Sequence, residues 1–310
     1  MGRKLANIKM QLHKRVDNLL QIGQSRHIAK HEYRKYCEEN NVPWKQGQTV
    51  GIHSPAQADS CRRVANGFGD WLKANHKEIK TLDQIDKKVA YDYLRSRENL
   101  SAYTVTSDMT NMNKLLRLDL TKKEGGLREK NINDITRSRT SAKMDAKYNP
   151  SNYKDQIEFS KAFGTRRESI LGGKYQVKDI SLYQKNNQLY VRVIEKGGRY
   201  REAPCLAKYQ DEIIKKYNVQ EGEKMTKSEF EKHYKTSDEY LFDKYTRHID
   251  NHAFRGEYSR DYYSQLCEIK ISKGETVKSD YRGFDKELVQ EVSHALGHNR
   301  LDVVINHYFR

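Results

Sequence analysis

The stretch Leu296-Gly297-His298-Asn299-Arg300-Leu301-Asp302-Val303-Val304-Ile305-Asn306-His307-Tyr308 places a tight glycine, an imidazole and, ten residues later, a phenol around an apolar run. Val289 and Val292 precede it with the spacing of a buried helix face. A tyrosine hydroxyl, with a pKa of about 10, is a poor nucleophile near neutral pH. It becomes a useful one when fixed positive charge stabilises the pentavalent phosphorus formed by its attack. Taken alone, one of 21 tyrosines near His298 reads equally well as core or surface.

Working outward, three further clusters carry residue types suited to a phosphate. Gly164-Thr165-Arg166-Arg167-Glu168 sets two arginines between the end of one helix and the start of another. An arginine fork can hold two phosphate oxygens, or equally pair with a nearby carboxylate. Val191 to Pro204 reads as two strands joined at Lys196-Gly197-Gly198-Arg199. A lysine at such a tip can reach a DNA groove and protonate a departing 5′ oxygen, although basic hairpin tips are also common on plain surfaces. His252-Ala253-Phe254-Arg255 puts an imidazole and a guanidinium on one side of a helix, either to hold phosphate oxygens or as a half-buried histidine beside a surface arginine.

The chain has 310 residues, 36% hydrophobic and 32% charged, with a formal net charge of +16. Residues 1–150 hold 29 Lys/Arg against 17 Asp/Glu, and residues 151–310 hold 29 against 25, so the surplus lies in the first half. Such a surplus suits a surface that follows a polyanion; an anionic membrane surface or simple solubility are the other readings. No stretch approaches the roughly 18 apolar residues of a membrane span, and the opening MGRKLANIKMQLHKR lacks the apolar core of a secretory signal. A cytoplasmic protein that does not engage membranes is therefore expected. Cys37, Cys61, Cys205 and Cys267 are far apart, which fits a reducing compartment and gives no zinc spacing. No clustered carboxylates suggest a two-metal nuclease, and no cofactor or metal is expected.

In organisation, residues 1–50 read as an N-terminal arm or extension with helical stretches over Ala6–Leu20 and Ser25–Glu39. Residues 51–120 read as a compact helical domain. Ser54-Pro55-Ala56-Gln57 and Thr81-Leu82-Asp83-Gln84 are capping signals, and a third helix is expected from near Thr104. The charged segment 121–152 reads as a linker, and 153–310 as a mixed domain with helices at Tyr153–Phe163 and from Glu168, and extended runs at Tyr175–Leu182 and Gln188–Ile194.

Together, and in this chain order, these clusters resemble the tyrosine recombinase family, the integrases of phages and of integrative and conjugative elements. Gly164-Thr165-Arg166 is similar to the turn with the family's first catalytic arginine, and Lys196-Gly197-Gly198-Arg199 to its lysine hairpin. His252 and Arg255 match its H-x-x-R box, Leu296-Gly297-His298 its L-G-H box, and Tyr308 its nucleophile. The match covers residues 151–310, and the helical unit before it resembles the family's core-binding (SAM-like) domain; residues 1–50 sit where relatives carry an arm-type DNA-binding domain. The resemblance implies a mainly α fold with a small antiparallel sheet, and catalytic roles for Arg166, Lys196, His252, Arg255, His298 and Tyr308. It further implies a 3′-phosphotyrosyl intermediate on double-stranded DNA, a homotetramer in the synaptic complex, DNA-bending accessory proteins, and integration or excision of a mobile element. A type IB topoisomerase or a non-catalytic DNA-binding regulator are the alternatives. The sequence departs from the family in three places. Ser169 stands where relatives often have an acid; 43 positions separate Arg255 from His298, with extra material at Ile269–Phe284 read as an inserted hairpin or loop; and tyrosine is tenth, not ninth, after His298.

Overall fold

The computed structural model describes residues 7–44, 49–131, 148–170, 181–195, 199–233, 242–246 and 248–309. The chain divides into two compact units, Met1–Thr136 and Arg137–Arg310. It is mainly helical with one small antiparallel sheet, and among the described residues no helix is long and apolar enough to cross a membrane.

The first unit is built from α1 (Ile8–Asn18), α2 (Arg26–Glu39), α3 (Pro55–Asn75), α4 (Lys87–Arg95), α5 (Ala102–Leu116) and the short α6 (Lys122–Gly125). Helix α3 begins where its signal predicts, with Ser54 accepting from the Gln57 amide and Pro55 in the first turn, where its missing N–H costs nothing. The Thr81/Gln84 capping box is present, but it closes a single 3₁₀ turn; α4 starts at Lys87 because Asp86 supplies a second cap to Val89. Ser101 caps α5, whose first residue, Ala102, lies two before the expected start near Thr104. One core joins Leu12 and Val16 of α1 to Phe68 and Leu72 of α3, Leu94 of α4 and Met112 of α5, and extends to Leu120 and Leu127. By contrast α2 buries only Cys37.

Lys114 is mostly buried in this unit, and its ammonium group donates to the carbonyls of Thr49 at 2.5 Å, Gly51 at 2.8 Å and Val50 at 3.3 Å. Three carbonyls with no regular ladder are thereby satisfied by one side chain.

The second unit contains α7 (Lys154–Phe163), α8 (Arg167–Ile170), strands β1 (Leu182–Lys185), β2 (Gln188–Glu195) and β3 (Arg199–Pro204), then α9 (Ala207–Tyr217), α10 (Lys227–His233), α11 (Asn251–Ser272), α12 (Lys286–Ala295) and α13 (Leu301–His307). The sheet order is β1-β2-β3, with Leu182 and Ala203 both opposite Val191. Asn186 and Asn187, at φ of 50° and 60°, make the tight β1–β2 turn, a conformation that asparagine tolerates. Most of the expected run Tyr175–Leu182 lies outside the described residues, as does the hairpin tip 196–198. Leu189, Val191 and Val193 pack on Phe159 and Phe163 of α7, while Tyr258 of α11, Val289 and Val292 of α12 and Val304 of α13 share a second core.

The stretch Ile269–Phe284 divides differently from expectation. Its first four residues are the last turn of α11, since nothing breaks the helix before Gly274, whose φ is +76°. The loop then ends in the tight turn Tyr281-Arg282-Gly283-Phe284, whose two outer residues exchange backbone hydrogen bonds of 3.0 Å.

Lys114→Met removes the only hydrogen-bonding part of that side chain and takes its donor from the carbonyl of the buried Thr49, while Gly51 keeps the Thr49 hydroxyl at 3.2 Å and Val50 is exposed. A stability loss of about 1–3 kcal/mol is expected from chemical denaturation; an unchanged midpoint would show that the Thr49 carbonyl does not depend on Lys114.

Candidate active site

Four of the six catalytic candidates meet in the second unit. Helix α7 stops at Gly164, whose φ of +56° and contact with the Tyr258 ring exclude a larger residue: a Cβ there would lie 2.5 Å from a ring carbon. The chain then turns and sends Arg166 toward β2. Arg255 rises from the first turns of α11 and is fully buried. Gly297, at φ +65°, ends α12 and turns His298 back toward the same point. Tyr308 caps the C-terminal end of α13, is 5% exposed, and gives its backbone carbonyl to Arg260 at 2.9 Å.

At the centre, the Tyr308 hydroxyl lies 3.3 Å from Nε of Arg255 and 3.5 Å from Nε2 of His298. The rest of the Arg255 guanidinium is fixed by the carbonyls of Gly164 and Leu296. His252, three residues before Arg255, is exposed and lines a cleft with Arg166, Arg167, Asp250, Asn251 and Arg255. Lys196 lies outside the described residues; its neighbour Glu195 is the last described residue of β2.

The anchor of this constellation is Glu195 itself, which the sequence reading passed over. Its buried carboxylate accepts from the Arg166 side chain, from the Arg166 amide at 3.1 Å, from Arg201 at 3.1 Å and from the Ser169 hydroxyl at 3.2 Å. Arg255 stands 3.6 Å away. Ser169, at the position where an acid is common, thus donates to an acid supplied by the strand. Arg201, also passed over, donates to the carbonyls of Gly164 at 3.3 Å and of Ala295. Period-two alternation contained the signal. Leu189, Val191, Val193 and Glu195 share one face of β2, and Arg201 lies opposite Val193, so two opposite charges stand on an otherwise apolar face.

These charges shift one another's protonation. Burial alone would raise the Glu195 pKa, but Arg201, Arg255 and Arg166 outweigh it and hold the carboxyl at about 2. Burial, helped by Arg201 and Arg166 and opposed by Glu195, lowers Arg255 to about 10, still cationic near neutrality. His298 is pushed down to about 4, first by burial and then by Arg255, Arg166 and Arg199. Its imidazole is therefore neutral at pH 7 and can accept a proton or hydrogen bond from the adjacent phenol. Three guanidiniums face one carboxylate, and the surplus positive charge suits an anion in the cleft.

Because the folded-state pKa of Glu195 is depressed, its ionised form stabilises the fold above about pH 4.5, and that contribution is lost as pH falls toward 2. Glu195→Gln is expected to cost about 3–5 kcal/mol at pH 7, since it leaves buried guanidiniums uncompensated. Denaturant midpoints measured from pH 6 to pH 3 should show the gap to the parent protein narrowing toward acid. A gap independent of pH would remove the carboxylate from the network.

No protein-family model matches the chain, and no curated protein matches it in sequence. Among solved structures, the site-specific recombinase XerH bound to its difH substrate in a pre-cleavage complex aligns with a TM-score of 0.52 and 15% identity, covering 99% of this chain and 95% of that one. XerH in a post-cleavage complex with a palindromic difH substrate aligns with a TM-score of 0.50 and 14% identity, covering 97% and 91%. The chain thus shares the mainly helical fold with a small antiparallel sheet seen in these DNA-bound recombinase structures.

Proposed function

We propose that this protein is a site-specific DNA recombinase of the tyrosine type, which cleaves and rejoins duplex DNA through a covalent phosphotyrosyl intermediate. The observation that carries this reading is the Tyr308 hydroxyl held between the guanidinium of Arg255 and the neutral imidazole of His298, beside a cleft with surplus positive charge. The fold shared with XerH supports it, and so does the basic surplus of residues 1–150.

In the proposed reaction Arg166 and Arg255 face the non-bridging oxygens of the scissile phosphate, with His252 at the rim of the same cleft. The Tyr308 oxygen attacks phosphorus in line as its proton passes to His298. An O–P bond to tyrosine forms, the bond to the 5′ oxygen breaks, and that oxygen takes a proton from Lys196. The phosphodiester is exchanged for another ester of similar energy, so rejoining is the reverse attack by a 5′ hydroxyl and needs no nucleotide hydrolysis. The guanidiniums act mainly on the transition state, whose equatorial oxygens carry more negative charge than the starting diester. Four protomers pairing two DNA sites, and integration or excision of a mobile element as the outcome, belong to the same proposal.

Covalent adducts mapped on duplex DNA flanking the coding sequence would define a cut site, and a duplex nicked next to it would trap the intermediate. With that substrate, Tyr308→Phe should bind DNA within about twofold of the parent yet give no adduct on a denaturing gel. An adduct formed by this variant would refute the assignment. Lys196→Ala should slow cleavage about 100-fold or more with little change in binding. A 5′-bridging phosphorothiolate, whose sulfur leaves without protonation, should restore the rate; failure to do so would exclude Lys196 as the acid.

A further inference from the structure

The added stretch between α11 and α12 reaches the residue that follows the tyrosine. After Gly274 the chain returns to Asp285, which is pinned from several sides. Its carboxylate accepts from Lys270 at 2.9 Å and from the Lys278 amide at 2.9 Å, and its own amide donates to the Tyr263 hydroxyl at 2.8 Å. Arg282 and Gly283 occupy the two central positions of the preceding tight turn, at φ of 52° and 85°, which aims Phe284 inward. The Phe284 ring lies 4.9 Å from that of Phe309 and 5.6 Å from that of Tyr263, and the Tyr263 and Phe309 rings are 5.0 Å apart. Arg282 also donates to Asn306 on α13 at 3.1 Å.

We propose that Tyr263 and Phe284 form an aromatic socket for Phe309, and that the socket positions the neighbouring Tyr308 for attack within its own protomer. The inference rests on the recombinase reading and deepens it. Tyr308 sits where α13 runs out, so the helix alone fixes its backbone on one side only. Beyond the helix, the backbone is held by the hydrogen bond from Arg260, by the Phe309 amide donating to the Val304 carbonyl at 3.2 Å and by the seating of the Phe309 ring, and the hydroxyl must stay within 3.5 Å of both Arg255 and His298. Edge-to-face and tilted ring contacts have defined geometry, so a ring in this socket restrains rotation of the adjacent residue more than a shapeless apolar contact would. Tyr263, Phe284 and Phe309 are positioning residues, acting through Tyr308 and touching neither phosphate nor proton. The loop that carries Phe284 is then part of the reaction's geometry. Its aromatic end and the pinned Asp285 brace the residue next to Tyr308 from behind.

The test is single-turnover adduct formation on the nicked duplex over a range of DNA concentrations. Phe309→Ala and Phe284→Ala should each lower the maximal rate by roughly 10- to 100-fold, as expected for a reacting atom misplaced by about 1 Å. The half-saturating DNA concentration should stay within about twofold. Phe309→Tyr should recover most of the rate, and Phe284→Leu keeps the apolar volume should Phe284→Ala prove unstable. Equal rates for Phe309→Ala and the parent, or a loss that appears in DNA affinity and not in maximal rate, would overturn the inference. No adduct from the parent enzyme would instead overturn the recombinase reading on which it stands.

Discussion

The second unit depends on one buried carboxylate. Glu195 is drawn into the interior on β2 and meets guanidiniums from three places in the sequence: Arg166 after α7, Arg201 on β3 and Arg255 on α11. No subset of these groups is comfortable alone. Two buried guanidiniums and the part-buried Arg166 would repel one another without an acid in a poorly screened interior, while a further acid bonded to them would cancel the surplus that makes the site attractive to an anion. Among the described residues Glu195 is the acid bonded to these guanidiniums, while the Asp250 carboxylate in the cleft lining caps α11, so the cluster is cohesive and still electropositive and its contacts join hairpin, turn and helix.

Helix ends carry the rest of the load. The last carbonyls of α7 and α12, which have no partner within their own helices, point at Arg201 and Arg255: Phe163 and Gly164 on one side, Ala295 and Leu296 on the other. Cations at helix C-termini are favoured both by these orphan acceptors and by the negative end of the helix dipole. Gly164 and Gly297 make the approach feasible. Each adopts a left-handed turn, and an added Cβ would come within 2.5 Å of Tyr258 or 3.0 Å of Arg201 respectively. The two glycines that look like punctuation in the sequence are thus where helices are cut so that arginines can reach their ends.

Which parts were legible in the sequence follows from this arrangement. The meeting of Arg166, Arg255, His298 and Tyr308 was foreseeable only from the resemblance of their motifs, in chain order, to the tyrosine recombinase family; read locally, each cluster fitted an ordinary structural role equally well. The helices of the first unit were foreseeable from caps such as Ser54, although Asp86 took over from Thr81 and moved the start of α4. Glu195 and Arg201 were missed because attention to residue types near Arg166 looked for an acid around Ser169. The acid comes instead from a strand 26 residues further along, bonded to that serine. Spacing rules cannot deliver a partner that arrives through the sheet, but alternation marked both residues as charges on an inward face. Helix α2 shows the converse limit: the stretch Ser25–Glu39 reads as helical, yet only Cys37 is buried, and helical character does not state whether a partner exists.

The positive charge of the pocket has a second consequence that joins electrostatics to proton transfer. A histidine beside a phenol at neutral pH is ordinarily divided between charged and neutral forms, and its charged form cannot take the phenolic proton. Here burial and the arginine field together lower His298 to about 4, so it stands neutral and ready to accept. The charges proposed to make phosphorus open to attack therefore also keep the neighbouring acceptor vacant. The two effects are linked through the arginine field, although burial is the larger cause of the His298 shift and acts without it. Weakening the arginine field would reduce stabilisation of the pentavalent phosphorus and at the same time allow His298 to hold a proton nearer neutrality. In the proposed reaction, then, Glu195 governs more than the fold. By fixing how much of the guanidinium charge goes uncompensated, it sets both the pull on the phosphate and the availability of the imidazole that would receive the tyrosine proton.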